Sequence, residues 1–108
     1  MSQKILTINF KYHVTKKEFE QMSTHASHAI ADVPGCQWKI WVVNDEQKEA
    51  GGVYLFNDEE SMKNYKSGPI IAAILSNPAF SDFDLKEQDI LKEQSEITHA
   101  PLSEVSIT

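Results

Sequence analysis

The chain has 108 residues, of which 41% are hydrophobic, and its formal net charge is −6. This length predicts one domain over residues 1–108, and the acidic balance argues against nucleic acid as a partner. Lys16-Lys17 is the only basic pair, which is too little for a polybasic membrane anchor. No apolar run approaches the roughly 20 residues of a membrane-spanning helix. The first residues lack the apolar stretch of a signal peptide, and Cys36 is the only cysteine, so we expect a cytoplasmic protein.

The first elements in chain order are a strand and a helix. Residues 4–12 alternate apolar and polar side chains, as a half-buried strand does. Thr15 and Glu18 have the spacing of a capping box, which begins a helix. This helix should end at Pro34-Gly35. Its apolar stripe, at helical spacing, consists of Phe19, Met22, Ala26, Ala29, Ile30 and Val33.

Both tryptophans fall within a predicted hairpin. Residues 37–43 and 51–56 are apolar runs joined by a charged turn, a pattern typical of two antiparallel strands. Because side chains alternate between the faces of a strand, Trp38 and Trp41 must lie on opposite faces. We expect the row of Trp38 to face the helices and the row of Trp41 and Val43 to face away. The helix-facing rows would then be Leu6, Ile8 and Phe10 together with Trp38, Ile40 and Val42.

The second half of the chain predicts two helical segments and one strand. Asp58 is a good N-cap for the first segment, and Pro69 suits the first turn of the next. Residues 83–97 alternate only weakly and are rich in charge, which is typical of an edge strand. The tail from Pro101 carries the apolar residues Leu102, Val105 and Ile107. The sequence does not indicate which surface of the domain these residues pack against.

The resulting order, β-α-β-β-α-β, predicts an α+β domain of the ferredoxin-like type. Such a domain has an antiparallel sheet with both helices on one face, so the other face should be exposed to solvent. Here Trp41 and Val43 make the expected outer face partly apolar, which predicts a partner surface. We therefore expect a homodimer that packs sheet against sheet, with Trp41 and Val43 in its interface.

Two blocks of the sequence resemble a known family. The first reads PGCQWKIW from Pro34, and the second reads EAGGVYLFNDE from Glu49. With the element order, which agrees over nearly the whole chain, they resemble the YdhR-type family of proposed monooxygenases. That family belongs to the dimeric α/β-barrel superfamily, alongside the antibiotic-biosynthesis monooxygenases. The resemblance implies a homodimer whose sheets form a barrel, with a pocket between sheet and helices in each subunit. It also implies oxidation of a phenol- or anthrone-like small molecule by dioxygen, without a cofactor.

The candidate site residues follow from this expected pocket. Tyr54 and Lys39 are the candidates for catalysis, because a tyrosine can donate to a phenolate and a partly desolvated lysine can hold an anion. Trp38 offers a flat apolar wall for an aromatic ligand. The further candidates for contact with the substrate are Phe19, Met22, Tyr65 and Asn9.

The same residues also have structural interpretations. Lys39 can extend its ammonium group to water or pair with an acid such as Glu49. Gly51-Gly52 can form a bulge instead of admitting a ligand. Trp38 can belong to the core, and Asn9 can lie exposed on the sheet margin.

Two other classes of function stay open. A non-catalytic small-molecule-binding or stress-response dimer needs only apolar walls, whereas an oxygenase also needs a buried donor or base. Haem degradation, which this superfamily also performs, uses an axial histidine on the second helix, and residues 58–76 contain none. His25 and His28 are three residues apart, but no carboxylate cluster completes a site. We therefore expect neither a metal nor another cofactor.

Overall fold

The computed structural model describes residues 2–102, which form four strands and four helices. The strands are β1 (Lys4–Tyr12), β2 (Cys36–Asn44), β3 (Glu49–Phe56) and β4 (Phe80–Asp89). The helices are α1 (Lys16–Ala31), α2 (Glu59–Lys66), α3 (Pro69–Leu75) and α4 (Lys92–Ile97). Within residues 2–102, no helix has the length and the apolar character that crossing a membrane requires.

The four strands form one antiparallel sheet in the order β2-β3-β1-β4. One cluster of buried side chains joins the sheet to α1, α2 and α3 and defines the helix side of the sheet. Its sheet members include Leu6, Ile8, Phe10 and Tyr12, which form the predicted apolar row of β1. The predicted α+β, ferredoxin-like arrangement is therefore confirmed.

Local signals begin the two longer helices where the sequence predicts. The Thr15 hydroxyl accepts a hydrogen bond from the Glu18 backbone N–H at 3.1 Å, and the Glu18 carboxylate accepts from the Thr15 backbone N–H at 3.0 Å. The Asp58 carboxylate accepts from the Ser61 backbone N–H at 2.7 Å. A cap of this kind stabilises a helix by about 1 kcal/mol. Gly35, with φ of 81°, passes so close to Ser61 that an added Cβ would lie 2.1 Å from its Oγ. Glycine is therefore required where the chain enters β2.

The region after α3 differs from the prediction of one edge strand over residues 83–97. The strand is Phe80–Asp89, and Lys92–Ile97 is a short helix. β4 pairs with β1 over nearly the full length of β1, with one register shift near its middle. The length of β4 is thus set by its partner, which is distant in sequence and gives no local signal.

The helix side of β2 carries Lys39 and Trp41. In the pairing with β3, Lys39 lies opposite Tyr54 and Trp41 lies opposite Gly52. Tyr54 belongs to the helix-side core and is 1% exposed, and Trp41 packs against the same core. The prediction that Trp41 and its row face away from the helices is therefore wrong.

The row of Trp38, Ile40 and Val42 lies on the outer face, which is the face away from the helices. Ile40 is 53% exposed and Val42 is 40% exposed. The prediction that this row faces the helices is wrong because alternation fixes which residues share a face but not which face is buried. The more apolar row of β2 lies outside, and the row containing a lysine lies inside.

The end of the described chain covers part of the outer face. The Trp38 indole N–H donates to the Pro101 carbonyl oxygen at 2.9 Å, and the Gln3 amide donates to the Leu102 carbonyl oxygen at 2.6 Å. Leu102 is 5% exposed, and Leu55, on the outer row of β3, is fully buried. Leu102 of the tail thus covers part of the apolar outer face of the sheet. The other apolar tail residues, Val105 and Ile107, lie outside the described residues.

Candidate functional site

A cavity of about 500 Å³ lies between the helix side of the sheet and helices α1 and α3. This volume is within the range of small-molecule sites. The walls are mainly apolar and aromatic, and they include Phe10, Phe19, Met22, Trp41, Ile74 and Phe80. The polar side chains that border the cavity are Gln21, Ser23, His25, Lys39, Tyr54 and Asn77.

The aromatic part of the wall is packed in fixed contacts. The ring centroids of Phe10 and Phe80 are 4.9 Å apart, and those of Phe10 and Phe19 are 6.1 Å apart with the rings edge to face. Aromatic pairs at these separations attract each other beyond their area burial. The wall therefore offers a preformed surface to a flat apolar ligand.

Lys39 lies against two aromatic rings at this cavity. Its Nζ is 3.3 Å from the centroid of the Trp41 ring and 4.6 Å from that of Tyr54. Gly52 leaves room for the lysine stem, because a Cβ added there would lie 2.4 Å from the Lys39 Cε. The space left by the missing side chain of Gly52 is thus filled by the Lys39 stem, whereas the sequence interpretation leaves this space to a ligand.

No carboxylate of residues 2–102 forms an ion pair with Lys39, whereas Lys4, Lys63 and Lys66 each form at least one. The alternative that Lys39 pairs with Glu49 is therefore not what the structure shows within the described residues. A charged amine at this position has aromatic faces as its neighbours and no counter-ion. An anionic ligand would supply the missing charge.

Burial lowers the pKa of Lys39 to about 7, because desolvation disfavours the ammonium form. The nearby Cys36 acts in the opposite direction, and so do the faces of Trp41 and Tyr54, since an aromatic ring attracts a cation. Lys39 can therefore gain or lose a proton near neutral pH, which an ordinary surface lysine cannot.

Tyr54 forms part of the cavity wall, and Tyr65 lies behind it. Their hydroxyl oxygens are 2.9 Å apart, and both residues are buried. Burial raises the pKa of Tyr65 to about 12 and that of Tyr54 still further. Both side chains are thus neutral phenols at neutral pH, and Tyr65 fixes the orientation of Tyr54.

Four predicted site residues meet at the cavity, and three do not. Lys39, Tyr54, Phe19 and Met22 border it. Tyr65 reaches it only through Tyr54. Trp38 lies on the outer face, and Asn9 is exposed on the outer row of β1, so neither lines the cavity. Trp41, which the sequence interpretation predicts for the dimer interface, borders the cavity at the place expected for Trp38. Val43 is 47% exposed and shares the row of Trp41.

The sequence interpretation also misses a histidine. His25 borders the cavity, although its position at the flank of the α1 apolar stripe gives no evident role. A signal for it exists in the sequence, because His25 is three residues after Met22 and so lies beside it on the helix surface. Residues 2–102 contain no group of three or more His, Cys, Asp and Glu side chains that could hold a metal ion.

Solved structures with this fold include enzymes and proteins of unknown function. SnoaB from Streptomyces nogalater, a cofactor-independent oxygenase, has a TM-score of 0.67 at 14% identity, over 82% of this chain and 92% of that one. A protein of unknown function from Nitrosomonas europaea has a TM-score of 0.72 at 17% identity, over 84% and 91%. The haem-degrader MhuD from Mycobacterium tuberculosis has a TM-score of 0.62 at 22% identity, over 81% and 95%.

These likenesses show the fold, an α+β fold that the chain shares with SnoaB and with a protein from Deinococcus radiodurans described as a "putative antibiotic biosynthesis monooxygenase". The family follows from the sequence, because the model of "Putative mono-oxygenase ydhR" matches residues 5–101. The chain therefore belongs to the ydhR family, as the two sequence blocks predict. No curated protein matches the chain.

Proposed function

We propose that the protein is a monooxygenase that needs no cofactor and oxidises an aromatic, phenol- or anthrone-like small molecule. The family description and the oxygenase fold support the general activity. The observation that carries the substrate class is the unpaired amine of Lys39 beside the aromatic walls of the cavity. A flat substrate with one acidic group would fill the apolar space and bring its anion to the only lysine on the cavity wall among residues 2–102.

The reaction needs little from the protein beyond binding and proton transfer. For an anthrone-like substrate, a CH₂ group and O₂ give a carbonyl group and water. The neutral Lys39 amine takes a proton from the substrate, and the ammonium that results holds the anion. The electron-rich anion reduces O₂ and forms a peroxide anion on carbon, which takes the proton back from the Lys39 ammonium and loses water to leave the quinone. His25, also at the cavity, is a second candidate for moving a proton.

The working unit that we propose is a homodimer formed through the outer face. Ile40 and Val42 leave an apolar area exposed there, which is unusual for a one-domain protein in isolation. The proposal thus keeps the sheet-to-sheet packing that the sequence predicts and replaces its contact residues, Trp41 and Val43, by Ile40 and Val42.

Oxygen uptake with a panel of anthrone-like and hydroquinone substrates tests the function. We expect turnover by the wild-type protein and a fall in kcat/KM of about 100-fold in Lys39→Met, because the amine both takes the proton and holds the anion. Lys63→Met is the matched control, since Lys63 is an exposed lysine on α2, and it should keep wild-type activity.

Two other results would contradict the proposal. Clear binding of the panel without oxygen uptake would identify a non-catalytic small-molecule-binding or stress-response protein. A shift of the haem Soret band on titration, with oxygen-dependent loss of haem, would favour a haem-degrading enzyme like MhuD. Residues 58–76 contain no histidine to serve as an axial ligand there.

A further inference from the structure

We propose that Lys39 is also a site of reversible covalent binding, at which its amine forms an imine with an aromatic aldehyde or ketone in the cavity. The oxygenase reaction needs the amine only for a proton and a charge, so this activity goes beyond it. The imine needs no oxygen, and it would form even if the protein oxidised nothing.

Its place on the cavity wall separates Lys39 from the other lysines of residues 2–102, some of which also have partners that hold the amine. Lys63 lies 2.8 Å from a Glu59 carboxylate oxygen, and Lys48 donates to the Val14 carbonyl oxygen at 2.9 Å. The Lys39 amine has neither kind of partner among residues 2–102, and it borders an open cavity with its stem fixed over Gly52. The nitrogen is thus held in place and accessible to a carbonyl carbon.

The chemistry uses the carbonyl compound alone and balances without a further reagent. The amine nitrogen attacks the carbonyl carbon, a proton moves from nitrogen to oxygen, and a carbinolamine results. Loss of one water from this adduct gives the carbon–nitrogen double bond. An apolar pocket favours the product, because it excludes the water that would reverse the step.

The groups that face the amine keep it reactive. Cys36 on the same strand, Tyr54 on β3 and His25 on α1 are the titratable side chains near it or on its cavity wall, and none is a carboxylate. α3 and the segment that follows it contribute Ala73, Ile74 and Asn77, which carry no charge. Because burial brings the pKa of Lys39 to about 7, much of it is neutral at pH 7.5, against about a thousandth of an ordinary lysine.

The walls select the kind of carbonyl compound. Trp41 and the phenylalanines present flat apolar surfaces, so a bicyclic aromatic aldehyde should bind in the cavity. A small polar aldehyde should gain no binding free energy from contact with these walls. Naphthaldehyde and acetaldehyde are therefore the two probes.

Reductive trapping with cyanoborohydride, followed by peptide mass mapping, tests the proposal on the full-length protein. At pH 7.5 and without oxygen, naphthaldehyde should label Lys39 on the order of 10-fold faster than any other lysine. Acetaldehyde should show a clearly smaller preference for Lys39, because it gains the neutral amine but not the contact with the apolar walls. Lys39→Arg keeps a positive charge without the nucleophile, so it should lose the fast label, whereas Lys63→Arg should keep it.

Labelling by naphthaldehyde at equal rates across all lysines would overturn the proposal, as would equal preference for Lys39 with both aldehydes. The trapping result is independent of the oxygenase assay, because the trapping reaction contains no oxygen. The oxygenase can likewise be active while no imine forms, so the two proposals fail separately.

Discussion

The two tryptophans of β2 show how differently one strand can use its two faces. Trp41 lies on the helix side, against the ammonium of Lys39 and beside the cavity. Trp38 lies on the outer face and donates its indole N–H to the carbonyl oxygen of Pro101. One ring thus forms part of a cavity wall, and the other holds the end of the described chain.

The polarity of the two faces is the reverse of what burial alone would favour. The helix-side row of β2 contains a half-buried lysine, and the outer row contains Ile40, which is 53% exposed. An unpaired lysine beside a core destabilises the fold, and an exposed isoleucine adds nothing to it. Function explains both features if the inner face binds a ligand and the outer face binds a second subunit.

The largest expected effect concerns the outer face. Ile40→Asp would place a charge in the proposed dimer interface, where it would be buried without a partner, so the dimer dissociation constant should rise by 100-fold or more, on the order of 3 kcal/mol. Sedimentation velocity over a concentration series measures it. Leu91→Asp is the control, because Leu91 is a 72% exposed apolar residue that lies outside the sheet. If Ile40→Asp dimerises like the wild-type protein, the outer face is not the interface.

A smaller effect is expected when each tryptophan is shortened. Trp41→Ala removes part of the cavity wall, so binding of an anthrone-like ligand should weaken by about 10- to 100-fold. Trp38→Ala leaves the cavity intact and should change ligand binding by less than about 2-fold, within the usual range for remote substitutions. Fluorescence titration of both variants measures the difference. Equal losses in the two variants would show that the faces are not functionally distinct.

The smallest effect concerns stability. Lys39→Met should raise the free energy of unfolding at pH 7 by about 1–2 kcal/mol, because a buried amine without a counter-ion is replaced by an apolar side chain of similar length. Denaturant titration measures it, with Lys63→Met expected near zero.

The same experiment has a predicted pH dependence. The folded pKa of Lys39, about 7, is below the ordinary value of 10.5, so the unfolded state binds more protons between these two values. The contribution of Lys39 to wild-type stability should therefore rise with pH across this window, and the advantage of Lys39→Met should shrink. An advantage that grows toward pH 10 would contradict the assignment.

The sequence predicts the elements of the fold well and the faces of β2 badly. The caps at Thr15 and Asp58 are local signals, and the structure confirms them. Whether Trp38 or Trp41 faces the helices depends on pairing with β3, and in particular on the position of Gly52 opposite Trp41. The sequence therefore predicts the candidate site in part: residue chemistry indicates Lys39 and Tyr54, which border the cavity, whereas the wall at Trp41 depends on tertiary packing.

The state of the Lys39 amine is the central claim, and it can be measured directly. An NMR titration of the Lys39 side-chain Cε and Nζ signals, assigned by comparison with Lys39→Arg, gives its pKa in the free protein. We expect a midpoint of about 7, far below that of Lys63 in the same spectra. A midpoint at the ordinary lysine value near 10.5 would show a fully charged, well-solvated amine and would contradict both its role as a base and its reactivity toward carbonyl compounds.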